Sequence, residues 1–426
     1  MFKTLTAISL AAAIASSATA AEQWQTSWYA APQPGWDSTF ALPTNMPHNL
    51  QDQTVRETLR LSVGGQRVRV VLSNRYGAEP LVIGEAHLAR SATSGAGGAS
   101  STILAAPAGI LTFGGKRAIT VAPGQQAVSD ALDFRVQPLE RLSVSTYFPQ
   151  RAVPSTFHWG AQQTAFAGSG NQAAARQLAG AAPLHGRVFL SAVHVSGGEA
   201  AAVASTAAAA AGQGRGGTVV AFGDSITDGN GSTPDQDRRW PDYLARLTAA
   251  RGIGVANAGI SGARVLADRM GERAAARFEQ DVLAQPGVRS VIIALGINDI
   301  GWPASGFAPH DPAMAAETLI AGYRKLIERA REHKVKAIGA TMTPFENALQ
   351  GTPLSDHYSP AKDAVRRKVN DWIRNSGAFD AVVDFDAVLR DPARPSRMLP
   401  AYDSGDHLHP GDAGYEAMAK AAYEVL

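Results

Sequence analysis

Four short stretches of the 426-residue chain carry groups that could cooperate in one reaction. Gly223-Asp224-Ser225-Ile226-Thr227-Asp228-Gly229 brings a hydroxyl, and Asn257-Ala258-Gly259-Ile260-Ser261-Gly262 brings flexible backbone donors. Gly296-Ile297-Asn298-Asp299 adds an amide, and Asp406-His407-Leu408-His409-Pro410 adds an Asp/His pair. Together these are the parts that acyl transfer through a serine nucleophile requires. Taken singly, each has a plainer reading. Ser225 could be a helix N-cap. Gly262 could be a turn glycine, and Asn298 a turn or cap residue. Asp403, Asp406, His407 and His409 lie close together and could ligate a cation, but no further ligand cluster with metal spacing accompanies them.

These stretches can meet only if the elements before them run side by side. After Gly217, buried-strand patterns at 218–222, 253–256, 291–295, 337–341 and 381–383 alternate with helical spacing at 240–250, 274–283, 314–333, 362–373 and 413–423. The alternation predicts a parallel sheet with helices on both faces, a doubly wound α/β domain of five strands over residues 217–426. Ligands bind such sheets at the carboxyl ends of the strands. Three of the four stretches directly follow a predicted strand, and the fourth precedes the last helix.

With the residues placed, the C-terminal half resembles the SGNH, or GDSL, hydrolase superfamily of esterases and lipases. Gly223-Asp224-Ser225 resembles its first block, Gly262 the second-block glycine, and Asn298 the third-block asparagine. Asp406 and His409 match the last block, in which aspartate precedes histidine by three residues. All four stand in family order, over about half the chain. The resemblance implies a flavodoxin-like fold and a Ser225-His409-Asp406 triad. It also implies an oxyanion hole formed by the backbone N–H groups of Ser225 and Gly262 and the side chain of Asn298. No cofactor and no metal are implied. Asp224 and Asp299 read as loop-bracing acceptors rather than catalysts.

The N-terminal half has a different pattern. Residues 1–20 read as a signal peptide: Met1-Phe2-Lys3, an apolar stretch, then Ala18-Thr19-Ala20. The mature protein is then expected to be secreted or periplasmic. Residues 21–196 show short alternating runs separated by Gly and Pro, which predict an all-β sandwich or jelly-roll. Runs at 54–61 and 68–72 around Gly64-Gly65 predict a hairpin. Residues 197–216 are mostly Ala and Gly and read as a linker. His158, between Phe157 and Trp159, reads as a satisfied or exposed histidine.

Composition narrows the function. There is no cysteine, which excludes disulfides, thiolate metal sites and a cysteine nucleophile. Lys and Arg total 39 against 37 Asp and Glu, so no broad positive field would hold nucleic acid. No later stretch is apolar enough to span a bilayer. No phosphate-cradling glycine loop is present, and residues 228–239 lack the Gly and Glu of a calcium loop. Arg238-Arg239 and Arg366-Arg367 read as solvated charges. The expected activity is hydrolysis of short acyl esters, acetyl foremost, of carbohydrate (acetylated polysaccharide among them) or other polar alcohols. Trp302, Phe307, Phe345 and Tyr358 stand in polar loops that could offer sugar faces or simply pack. A lipase or arylesterase, including a feruloyl type, is the alternative within the class. A polysaccharide-binding protein that keeps only the hydrolase shape is the alternative outside it.

Overall fold

The computed structural model describes residues 22–36, 40, 42–92, 98–198 and 216–426. The expected signal peptide and nearly all of the expected linker lie outside these residues.

The C-terminal half is built on five strands: β1 (Thr218–Gly223), β2 (Gly254–Gly259), β3 (Val288–Ala294), β4 (Lys336–Ala340) and β5 (Ala381–Val383). All pair in parallel, in the order β2-β1-β3-β4-β5. Every residue of β1 is buried, because helices cover both faces of the central strands. The connections supply α1 (Ser225–Asp228), α2 (Trp240–Thr248), α3 (Ala274–Phe278), α4 (Ile297–Gly301), α5 (Ala316–Glu332), α6 (Pro360–Asn375), α7 (Phe385–Leu389) and α8 (Asp412–Glu424). Helix α8 packs with α2 and α7, and α5 packs with α3 and α6, giving two helical layers around one core. The expected helix over 274–283 is α-helical only to Phe278 and continues as a π turn, Glu279–Leu283. Chain order reverses between β2-β1 and β3-β4-β5. The crevice beyond the carboxyl ends of β1 and β3 is therefore the switch point where such sheets bind ligands.

The N-terminal lobe is antiparallel. One sheet runs Ala182–His185, Thr164–Ser169, Gln53–Arg60, Arg141–Phe148, Glu85–Ser91, Ile103–Leu111. A second runs Trp24–Tyr29, Leu190–Ser196, Gly65–Ser73, Leu132–Val136, with Gln126–Val128 also on Gly65–Ser73. Val55, Leu59, Val144 and Leu88 of the first share a core with Val68, Val70, Val193 and Val195 of the second, a sandwich.

Two expectations need correction. The runs around Gly64-Gly65 are not a hairpin, because Gln53–Arg60 and Gly65–Ser73 belong to different sheets. The connecting residues Leu61 and Val63 are buried, and Ser62 and Val63 bond to Ser27, so the chain crosses the core edge instead of turning in solvent. Arg366 is not solvated. It is buried and pairs with Asp363 and Asp386, each at 2.7 Å, tying α6 to α7. Arg239 likewise pairs with Asp242 at 2.7 Å.

The lobe is seated on the α/β half. Strand Trp24–Tyr29 packs along β2, and Ala30 bridges to Asn257. The Tyr29 hydroxyl donates to the buried Asp281 at 2.8 Å, and Asp281 also receives Arg277 at 2.9 Å. Burial pushes the Asp281 carboxyl up, against the lowering effect of Arg277. Tyr29→Phe leaves one Asp281 oxygen without its donor. Urea unfolding should then show a loss of about 1–3 kcal/mol. An unchanged midpoint would mean that this contact does not help hold the lobe in place.

Candidate active site

Ser225 stands at the start of α1, immediately beyond β1. The cap is not Ser225 but Asp224, whose side chain accepts the Ile226 N–H at 3.0 Å. That frees the Ser225 hydroxyl. The helix is one turn long and closes on Gly229, whose N–H donates to Ser225 O.

The last loop brings the Asp/His pair to that hydroxyl. Asp406 Oδ1 accepts the backbone N–H groups of Leu408 at 2.9 Å and His409 at 2.8 Å. Its Oδ2 lies 2.6 Å from His409 Nδ1, and His409 Nε2 lies 2.8 Å from Ser225 Oγ. Burial works against charge on Asp406, but the bonds from the His409 ring and the two backbone N–H groups outweigh it. They hold the carboxyl well below the usual range. Asp403 does not join this group. It pairs with His407 at 2.6 Å, so the four residues form two separate Asp/His pairs. Among the described residues, no group of three or more His, Asp or Glu is arranged to hold a metal.

Gly262 and Asn298 stand beyond β2 and β3. Gly262 has φ +74°, and a Cβ there would lie 2.4 Å from Met270 Sδ and 2.8 Å from Trp302 Cζ2. Only glycine fits that position. Among the described residues, neither the Ser225 N–H nor the Gly262 N–H is given to a hydrogen bond. The Asn298 amide is oriented from both sides. Its Oδ1 accepts the Trp302 indole N–H at 3.0 Å, and its Nδ2 donates to Ala263 O at 3.1 Å. One Nδ2 hydrogen remains. The structure thus brings Ser225, Asp406 and His409 together, and sets Gly262 and Asn298 on the neighbouring strand ends.

Asp299 accepts the N–H groups of Val265 at 2.7 Å and Leu266 at 3.0 Å, bracing the loop after Gly262. The sequence offers Trp302 only as a loop aromatic; its part in orienting Asn298 is what sequence reading missed. Its signal was its place four residues after Asn298, one helical turn away on the same face. Trp302 and Phe345 are buried and offer no face to a sugar, while Phe307 and Tyr358 are half-buried. Trp302 instead begins an apolar cluster with Phe40, Met270, Phe307, Trp36 and Trp159.

Burial raises the Asp224 carboxyl to about 7, against the lowering effect of the Ile226 N–H, and raises Asp299 to about 6. Both exceed the unfolded value of about 4, so the folded state binds more protons in this window and loses stability as pH rises through it. Asp224→Asn keeps an oxygen for Ile226 and removes one titration. Its stability relative to the native protein should be more favourable at about pH 8 than at about pH 5 in urea unfolding. An equal difference at both pH values would contradict the burial argument.

Residues 221–417 match the GDSL-like lipase/acylhydrolase family. No curated protein matches the chain. Matching solved structures include a G-D-S-L family lipolytic protein from Desulfitobacterium hafniense, at 25% identity over 49% of this chain and 99% of that one, TM-score 0.36. A catalytic variant of an acetylxylan esterase from Geobacillus stearothermophilus matches at 26% identity, over 50% of this chain and 94% of that one, TM-score 0.37. The parallel-sheet half of this chain belongs to the GDSL-like lipase/acylhydrolase family and is a carboxylic ester hydrolase domain.

Proposed function

We propose that the protein is an exported serine esterase that removes short acyl groups, acetyl foremost, from carbohydrate or other polar alcohols. The observation that carries the catalytic part is the unbroken hydrogen-bond chain from Asp406 through His409 to Ser225. Ser225 Oγ attacks the ester carbonyl while its proton passes to His409 Nε2. The Nδ1–H of His409 already donates to Asp406, so the positive ring meets a carboxylate. The oxyanion is held by the N–H groups of Ser225 and Gly262 and the remaining Nδ2–H of Asn298. Such donors act where charge develops, and losing one costs about 100-fold or more. Collapse expels the alcohol, which takes the proton from His409. Water then gives a proton to the same imidazole and attacks the acyl carbon, and the proton returns to Ser225 as the acid leaves.

Two features support this reading. Ser225 and His409 are only 6% and 8% exposed, which favours a small acyl group over a bulky one. The leader read at residues 1–20 supports action outside the cytoplasm, where polymer substrates are within reach. One observation favours a second reading, a lipase or arylesterase. The half-buried aromatics Trp36, Trp159 and Phe307 continue from Trp302, which touches Asn298, and could receive a longer or aromatic acyl group.

Two measurements decide between the readings. Ser225→Ala should keep the fold and lose about 1000-fold or more of the turnover of a nitrophenyl acetate. Retention of most of the rate would remove Ser225 from the mechanism, and a native protein with no turnover at all would favour a binding protein. A chain-length series on one leaving group, followed by acetate release from acetylated xylan, tests the substrate. The specificity constant should peak at acetyl. A steady climb toward long chains with no acetate released would establish the lipase reading instead.

A further inference from the structure

His158 belongs to the β lobe, in a small sheet of Gln33–Pro34, Thr156–His158 and Arg187–Val188. Its ring is buried and reaches across to the α/β half. Nδ1 lies 2.9 Å from Ala31 O, and Nε2 lies 2.9 Å from Asp228 Oδ1. A carbonyl only accepts, so Nδ1 carries a hydrogen, and a second proton lies between Nε2 and the carboxylate. Asp228 is buried too, and its other oxygen accepts both the N–H and the hydroxyl of Ser261, at 2.9 and 2.7 Å. Every strong contact of this carboxylate therefore joins one of three chain segments.

The position of Asp228 gives these contacts a consequence for the site. It is the last residue of α1, three after Ser225, and Ser261 immediately precedes Gly262. The two backbone N–H groups assigned above to the oxyanion thus belong to segments that Asp228 clamps together. The lobe segment is pressed onto the clamp. A Cβ at Gly160 would lie 2.1 Å from Asp228 Oδ2 and 2.6 Å from Ser261 Oγ. Gln162 Nε2 donates to Asn230 Oδ1 at 3.1 Å, which also faces Ser261 Oγ at 3.2 Å. Nothing in this arrangement touches a reacting atom.

We propose that His158 is a positioning residue of the lobe that sets, through Asp228 and Ser261, the spacing of the Ser225 and Gly262 N–H donors. The lobe then contributes to the transition state without contacting substrate. The inference rests on the oxyanion reading given above. A displacement of about 1 Å in a positioned group can cost as much as about 100-fold in rate. Since the tetrahedral oxyanion and not the ground-state carbonyl is what the donors fit, the loss should fall on kcat and leave KM nearly unchanged.

The test compares His158→Phe, which keeps a ring and removes both donors, with His158→Gln, which keeps one donor within reach of Asp228. Active serine is counted with a fluorophosphonate, so misfolded protein does not enter the rate. Per active serine, H158F should lose about 10- to 100-fold in kcat at nearly unchanged KM, and H158Q should recover most of it. Native kcat in H158F, or an H158Q as impaired as H158F, would overturn the proposal. Should H158F fail to fold, Ser261→Ala keeps the N–H to Asp228 and loses only the hydroxyl bond. It should show a smaller kcat loss, and native kcat there would equally overturn the proposal. Ser225→Ala separates the two readings: if it remains active and still takes the fluorophosphonate, the nucleophile assignment fails whatever His158 does.

Discussion

The carboxyl ends of β1 and β2 are held by one buried guanidinium. Arg277, on α3, donates to Gly223 O and Ala258 O, each at 2.8 Å, and to Asp281 at 2.9 Å, with its face 4.1 Å from the Phe222 ring centroid. Gly223 is the last residue of β1 and Ala258 the last but one of β2, just where the chain must leave the sheet. A buried charge without partners would be destabilising by several kcal/mol or roughly 3–5 on losing its counterion. Arg277 therefore cannot move without breaking Asp281, and Asp281 is itself held by Tyr29 of the lobe. The turn that presents Ser225 begins at one of the carbonyls so fixed.

This arrangement explains why the lobe is more than an appended module. An open parallel sheet ends in strands with unpaired backbone groups, which natural proteins pair or cover. Strand Trp24–Tyr29 lies along β2, and the Ser62 hydroxyl accepts the Val255 N–H at 3.0 Å. Gln25 Nε2 reaches Gly252 O at 3.0 Å from the same strand. The lobe thus covers the β2 edge, and the loop that follows β2 carries Gly262. Covering the edge and bracing the site are one structural act, done by neighbouring parts of the same sheet.

Much of the α/β half was legible because its signals are local. Runs such as Val219–Phe222 are apolar throughout, which marks strands buried on both faces. The motif residues follow them at short, fixed distances. What was not legible depends on partners far away in sequence. Period-two alternation around Gly64-Gly65 shows two strands but not which sheet each enters, and buried Leu61 and Val63 carry them apart. Arg366 looks like any helix arginine until Asp386, twenty residues on, meets it. Trp302 looked like a loop aromatic because nothing in its own stretch shows that Phe40 and Met270 would close over it. His158 reads as satisfied or exposed; it is buried and satisfied, but its partner lies seventy residues away and in the other half.

The Asp406–His409 pair differs from these in forming almost by itself. With His407 in the left-handed region at φ +61°, the loop folds back so that one carboxylate oxygen takes two backbone N–H groups while the other faces the ring. Only the distance to Ser225 remains for the tertiary structure to set. That distance is governed by how the start of α8 docks on the loop after α1. Asp412, the first residue of α8, accepts Thr233 N–H and hydroxyl at 2.8 and 2.6 Å and Arg238 at 2.7 Å. Tyr415 adds its hydroxyl to Asn230 O at 2.5 Å. Asn230 in turn faces Ser261 and Gln162, so the C-terminal hook and the lobe are referenced to the same residue. The hydroxyl, the imidazole and the loop of Gly262 thus have their relative positions set by one short segment, residues 228–233.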